Sequence, residues 1–211
     1  MKKSIFAQSI AALSLATACF AASANDKLSY NYFQFGLVHS AGELTSDKSG
    51  YNFDISLDWT ESLYLRTTYN TQSADVWAGG QVADVDASEY SLNLGFHTAM
   101  TRSTDLIAEV GYLKQDAEGL IPQSTYGNDE DGFQVKLGAR TRWNANWESS
   151  LFAGYKDVDF SPYVNEALHE DDDTIFGAEI RYYLNKTWSL GLTVGEEAAG
   201  ETSQLTLRAN F

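Results

Sequence analysis

Ten charged side chains recur on the polar side of segments with alternating character: Asp54, Asp58, Arg66, Glu109, Lys136, Arg140, Glu148, Glu179, Arg181 and Arg208. Both signs are present, so the chemistry open to them is ion pairing, in which arginine forks meet carboxylates through two parallel hydrogen bonds. Enclosed together, such groups form either an internal polar plug or the lining of a narrow path for ions and small solutes. Catalysis fits the residue types poorly. The three histidines are His39, His97 and His169, and none comes with a recognisable nucleophile or oxyanion device. His39 and His169 lie near Glu43, Glu166 and Glu170, while His97 is expected opposite Asp105 beside a turn. The expectation is a chain that is not an enzyme, with no cofactor and no dedicated metal site. Cys19 is the one cysteine. No disulfide or thiolate metal site can form with a single thiol.

The segments that carry these charges alternate with a period of two, as strands with one apolar and one polar face must. Tyr51, Phe53, Ile55, Leu57 and Trp59 face one way, and Asn52, Asp54, Ser56 and Asp58 the other. The same alternation runs through 63–71, 90–97, 106–112, 133–140, 147–155, 176–182, 188–194 and 203–211. Gly95, Gly111, Gly138, Gly154, Gly177, Gly191 and Gly195 all share the polar face, which suits the crowded inside of a narrow closed sheet. The pattern in 28–39 is ambiguous by itself. If Gly36 obeys the glycine rule, then Phe33, Phe35 and Leu37 point outward. Pairing 51–59 with 63–71 sets Ser56 opposite Arg66, with Asp54 and Asp58 diagonal to it. The same construction across 144–145 brings Arg142 beside Glu148.

A soluble β-sandwich produces similar alternation, so the connections decide the fold. Short turns are expected at 60–62, 98–104, 143–146 and 184–187, and longer connections at 40–49, 71–88, 116–131, 157–173 and 197–201. Trp59, Trp143, Trp147 and Trp188 all sit beside the short turns. Tyr51, Tyr69, Tyr112, Phe133, Tyr155 and Phe176 lie at the opposite strand ends, and Pro122 and Pro162 in the longer connections. Aromatic girdles, short turns at one end and long loops at the other are the pattern of a transmembrane β-barrel. The expected fold is therefore all-β, an antiparallel up-and-down barrel of about ten strands, with eight as the alternative.

Both chain ends agree with that reading. Lys2 and Lys3 precede an apolar run from Ile5 to Phe20 and the small residues Ala22-Ser23-Ala24, so residues 1–24 are expected to be a cleaved secretory signal and 25–211 the barrel. A lipoprotein reading at Cys19 lacks the branched residue usual three positions earlier, where Ala16 stands. The final strand alternates to its end, with Leu205, Leu207, Ala209 and Phe211 on one face, and the terminal aromatic is the expected assembly signal. Overall, 14 Lys and Arg against 29 Asp and Glu give a net charge of −15, and losing Lys2 and Lys3 deepens it. Such a chain is unsuited to nucleic acid, where affinity comes from neutralised phosphates.

Several stretches also carry a resemblance. Leu28-Ser29-Tyr30-Asn31-Tyr32, Ser103-Thr104-Asp105-Leu106-Ile107-Ala108, Asp131-Gly132-Phe133, Asn144-Ala145-Asn146-Trp147-Glu148 and Gly154-Tyr155 together resemble the small outer-membrane β-barrels of the porin-like and OmpA-like superfamily. The resemblance implies an outer-membrane location, partners in the lipid bilayer and lipopolysaccharide, and insertion by the barrel-assembly machinery. It carries no agreed activity and no catalytic residue. Asp129-Glu130-Asp131 and Glu170-Asp171-Asp172-Asp173, with Asp84, Asp86, Asp157 and Asp159, make the expected external loops acidic. Their spacing is not that of a calcium loop, so weak Ca²⁺ or Mg²⁺ binding, shared with lipopolysaccharide phosphates, is the most they predict. The expected protein is a monomer with a structural or surface-interaction role, or alternatively a narrow passive pore.

Overall fold

The computed structural model describes residues 28–41, 48–78, 81–121, 124–158, 172–197 and 200–211. The expectations for the signal segment 1–24, Glu43, Pro122, Asp159, Pro162, Glu166, His169, Glu170 and Asp171 lie outside them. Ten strands follow in chain order: β1 (Tyr32–Ala41), β2 (Lys48–Asp58), β3 (Leu63–Ala78), β4 (Gln81–Ala99), β5 (Thr104–Ile121), β6 (Ser124–Arg142), β7 (Trp147–Val158), β8 (Asp172–Tyr183), β9 (Trp188–Glu197) and β10 (Gly200–Asn210). Every strand pairs antiparallel with its neighbours in sequence, and β1 closes on β10 with Phe33 opposite Ala209 and Leu37 opposite Leu205. Closure removes the free edges that an open sheet would leave. The count is ten, and the eight-strand alternative is excluded.

The faces are inverted relative to a water-soluble protein. Leu92, Leu137 and Leu205 are more than half exposed, whereas Asp54 and Arg181 are almost wholly buried. In lipid an exposed leucine is solvated, and the polar side chains must satisfy one another inside. The ambiguous first strand resolves as the glycine rule requires. Tyr30, Tyr32 and Gln34 are buried, Gly36 points inward, and Phe33 and Leu37 face out.

All four short turns have one construction. Thr60, Thr101, Asn144 and Asn185 each occupy the second turn position, and each side-chain oxygen accepts a backbone N–H two residues on. At three of them a second bond follows, to Thr60 from Leu63 N at 3.0 Å and to the asparagines from Trp147 N and Trp188 N at 3.0 and 2.8 Å. Short polar side chains that mimic a backbone turn are favoured at such positions. The turns are also tied together, since Tyr183 N donates to Asn146 O and Asn210 N to Thr187 O, both at 2.7 Å. Trp59, Trp147 and Trp188 stand exposed beside them as the girdle expected at that end.

The opposite end departs from expectation. Residues 71–78, 81–88, 116–121 and 124–131 are strand rather than loop: β3 and β4 pair out to Ala78–Gln81, and β5 and β6 out to Ile121–Ser124. Strands of 16 to 19 residues exceed the roughly 9–11 that cross a bilayer, so these two hairpins project beyond it. The reason they read as loops is physical. A strand with water on both faces needs no apolar stripe, so the period-two signal fades although the ladder continues.

Gly95 shows what the narrow lumen demands. A Cβ there would lie 2.1 Å from Tyr64 Cζ, so the phenol ring occupies the space a side chain would take. Gly95→Val is expected to destabilise the barrel by about 1–3 kcal/mol through this overpacking, read as a lower urea midpoint for the refolded protein.

Candidate functional site: the charged lumen

Three connected clusters of charged and aromatic side chains occupy much of the lumen. In the first, the Arg66 fork on β3 grips Asp54 on β2, with Nη2 to Oδ2 at 2.6 Å and Nε at 3.0 Å from both carboxylate oxygens. The register pairs Ser56 with Arg66, so Asp54 is reached on the diagonal, as anticipated. Arg66 Nη1 also reaches Glu109 at 3.4 Å, and Tyr64 OH donates to the same carboxylate at 2.7 Å. Lys136 lies opposite Glu109 in the β5–β6 register and lines the same space.

The second cluster centres on Glu148 of β7. Arg140 donates to its Oε1 through Nη2 at 2.8 Å and Nε at 3.2 Å, and Tyr183 OH donates to Oε2 at 2.8 Å. Arg142 Nη1 approaches Oε2 at 3.6 Å, as the hairpin register implied, and Arg208 Nη1 comes within 3.8 Å of Oε1. One carboxylate thus serves three guanidinium groups. Beyond it, the fully buried Arg181 binds Glu179 at 2.6 Å, Gln34 at 2.7 Å, Thr206 at 3.0 Å and Ser189 at 3.2 Å. Gln34 Oε1 also accepts from Arg208 Nε at 2.9 Å, which joins β1, β8 and β10 across the interior. Tyrosine rings cover the cations: Arg142 lies 3.6 Å from the Tyr183 centroid, Arg208 4.0 Å from Tyr32 and Arg140 4.6 Å from Tyr30. Such contacts gain strength where water is excluded.

The third cluster closes the end with the short turns, and the segment before β1 builds it. Tyr30 turns inward, stacks on His97 at 3.9 Å and on Tyr64 at 4.9 Å, and donates to Asp105 at 3.1 Å. Burial, reinforced by the Asp105 carboxylate, pushes its phenol above the ordinary range against the pull of Arg140. It therefore stays a neutral donor at any physiological pH. His97 reaches Asp105 at 3.5 Å, although the register sets it opposite Ile107 and makes that contact diagonal. Asp58 belongs here and not with Arg66: its backbone N–H and carboxylate hold the Asn31 amide at 2.7 and 3.1 Å.

Nearer the long hairpins, Lys156 on β7 crosses the lumen to Glu89 on β4, and Gln115 donates to the same carboxylate at 2.7 Å. Sequence reasoning did not single out Glu89, Gln34 or the tyrosines. Extending the inward series Asn93, Ser91 one step further reaches Glu89, one residue before the strand expected from Tyr90. A cavity of about 240 Å³ runs between these clusters. The cations and carboxylates face one another, which holds the wall. Among the described residues no group of acidic or histidine side chains could hold a metal ion.

The model of the outer membrane protein beta-barrel domain family matches residues 9–174. The chain belongs to this family. Its place is accordingly the bacterial outer membrane, in contact with the lipid bilayer and lipopolysaccharide. A search of the curated proteins found no match. Among solved structures, the chain is similar to the transport unit of the autotransporter AIDA-I from Escherichia coli, with TM-score 0.56 and 10% identity over 95% of this chain and 96% of that one. It is also similar to an outer membrane channel from Pseudomonas putida F1, with TM-score 0.53 and 9% identity over 89% and 98%. A third is the NanC porin, with TM-score 0.51 and 7% identity over 85% and 98%. What these proteins share with the chain is the barrel fold.

Proposed function

We propose that this is a closed, non-enzymatic barrel that acts as a structural and surface-interaction element of the outer membrane, working through its acidic external hairpins and loops. The observation that carries the reading is the cross-lumen packing of Glu148, Glu179 and four arginines, sealed from below by Tyr30. An ion following the axis would have to displace buried, mutually paired charges, each of which costs several kcal/mol to strand. The acidic surface keeps the exported chain soluble, repels like neighbours and takes up divalent cations weakly beside lipopolysaccharide phosphates. A single barrel suffices for this role. The experiment is recording in planar bilayers, where silence is expected and reproducible conductance steps would overturn the reading.

A narrow passive pore is the second reading, and the 240 Å³ lumen cavity favours it. It requires the conductance steps that the first reading forbids.

Export and insertion belong to the same proposal. Residues 1–24 act as the cleaved signal, and Phe211 is the outward aromatic that the assembly machinery reads. Phe211 is 70% exposed, while its N–H donates to Asn31 O at 3.2 Å. Deleting it, or replacing it by Ser, is expected to leave most of the protein in the periplasm. Heat-modifiable migration in outer-membrane fractions is the measurement, and a normal folded band would refute the assignment.

A further inference from the structure

Ten strands closed in chain order set β2 and β3 diametrically across the lumen from β7 and β8. The first wall carries an amide pair: Asn52 and Asn70 stand directly opposite each other on one rung, and both line the cavity. Asn52 is only 7% exposed, and neither Asn52 Oδ1 nor Asn70 Oδ1 has a hydrogen-bond partner in the structure. Native proteins rarely leave a buried carbonyl oxygen without a donor, so this rung is suited to receive one. Thr68 and Ser91 flank it with hydroxyl groups. On the opposite side β7 and β8 contribute Ser150 and Glu179 together with an apolar patch of Phe152 and Ile175. The Phe152 ring lies over Gly177, where a Cβ would stand 2.5 Å from its tip.

The nearby charges already have partners, Arg66 with Asp54 and Glu109, and Glu89 with Lys156 and Gln115. With Glu89, which stands opposite Asn70 on the same rung, and Arg66 so engaged, the cavity-lining groups this wall leaves without a partner are the two amide oxygens. Rung neighbours have Cβ atoms about 4.5–5.5 Å apart, so two amides can meet adjacent hydroxyl groups. Each amide both donates and accepts, as a hydroxyl does. An anionic guest would face Glu89 and Glu109. The volume, about 240 Å³, falls below the roughly 300–1,000 Å³ of drug-sized pockets and selects a guest of one ring.

We infer that the lumen cavity is a binding site for a neutral polyhydroxylated ring, a monosaccharide or a cyclitol, held between the Asn52–Asn70 rung and the Phe152–Ile175 patch. Entry is from the hairpin end, past the Glu89–Lys156 bridge, so the site works in a barrel that does not conduct. The test is saturation-transfer NMR on the refolded barrel in detergent, titrating D-glucose, myo-inositol and gluconate through the millimolar range. Saturable transfer to D-glucose or myo-inositol is expected, and which of the two binds separates the sugar source from the cyclitol source. Gluconate, of similar size but anionic, should show none. Asn52→Leu with Asn70→Leu should weaken the neutral probe at least tenfold, as should Phe152→Ala, with heat-modifiable migration reporting the fold. If the double variant does not fold, the half-buried Asn70→Ala carries the same comparison. Absence of saturable binding by both neutral probes, equal binding of gluconate, or unchanged affinity in the folded asparagine variants would each overturn the inference.

Discussion

Glu148→Ala is expected to be the most damaging lumen substitution, lowering the unfolding free energy of the refolded barrel by about 3–5 kcal/mol. The carboxylate is 3% exposed and accepts from Arg140 and Tyr183, with Arg142 and Arg208 within 3.6 and 3.8 Å. Truncating it strands buried cations that have few other anions to turn to. Arg208 keeps Glu179 at 3.8 Å, whereas Arg140 keeps the neutral Ser29 carbonyl, at 3.3 Å, and its contact with Tyr30. The measurement is the urea midpoint in lipid vesicles. Combining Glu148→Ala with Arg140→Met should cost clearly less than the two single changes added, because residues in one buried network couple by about 0.5–3 kcal/mol. Additive losses would mean that the pair does not interact, and the reading of a sealed lumen would lose its centre. The same Glu148→Ala variant is the first place to look for a gained conductance.

Much of this barrel was legible because the bilayer imposes a binary pattern. Leu92, Leu94 and Phe96 alternate with Asn93 and Gly95 because one side of β4 meets hydrocarbon and the other meets Arg66 and Tyr64. The short turns were legible as spacing before they were legible as chemistry. Asn144-Ala145-Asn146-Trp147 and Asn185-Lys186-Thr187-Trp188 place an amide where it caps the start of the next strand and a tryptophan where the membrane interface lies. Arg66 with Asp54 and Arg142 beside Glu148 followed from hairpin register alone.

The remainder was hidden for two reasons. Above the membrane the binary pattern stops, so the outer halves of β3 to β6 looked like loops and Glu89 lost its place on the inward face. Contacts across the lumen, such as Gln34 with Arg181 or Tyr64 with Glu109, join strands that are not neighbours, and no local spacing encodes them. Asp58 illustrates the limit of register reasoning. It is diagonal to Arg66 just as Asp54 is, but at the strand end the Asn31 amide and His97 hold it instead.

The wall itself is tested by one arginine placed on each side of it. Leu92 is 58% exposed on the outer face of β4, between Phe96 toward the tryptophan girdle and Tyr90 toward the outer aromatic belt. Leu92→Arg is expected to cost roughly 2–4 kcal/mol near the bilayer midplane, seen as reduced folding into vesicles. Its lumen counterpart should be chosen where space exists. Asn93 is a poor choice, being 2% exposed, bonded to Gln134 and packed against Gly111. Thr193 on β9 is better, since it lines the cavity and stands opposite Glu179 in the register. Thr193→Arg places its charge beside a carboxylate in a polar interior and should fold far more efficiently than Leu92→Arg. Equal losses would mean that water reaches both faces. A greater loss from Thr193→Arg would mean that the side assigned to lipid is the side that needs to be polar.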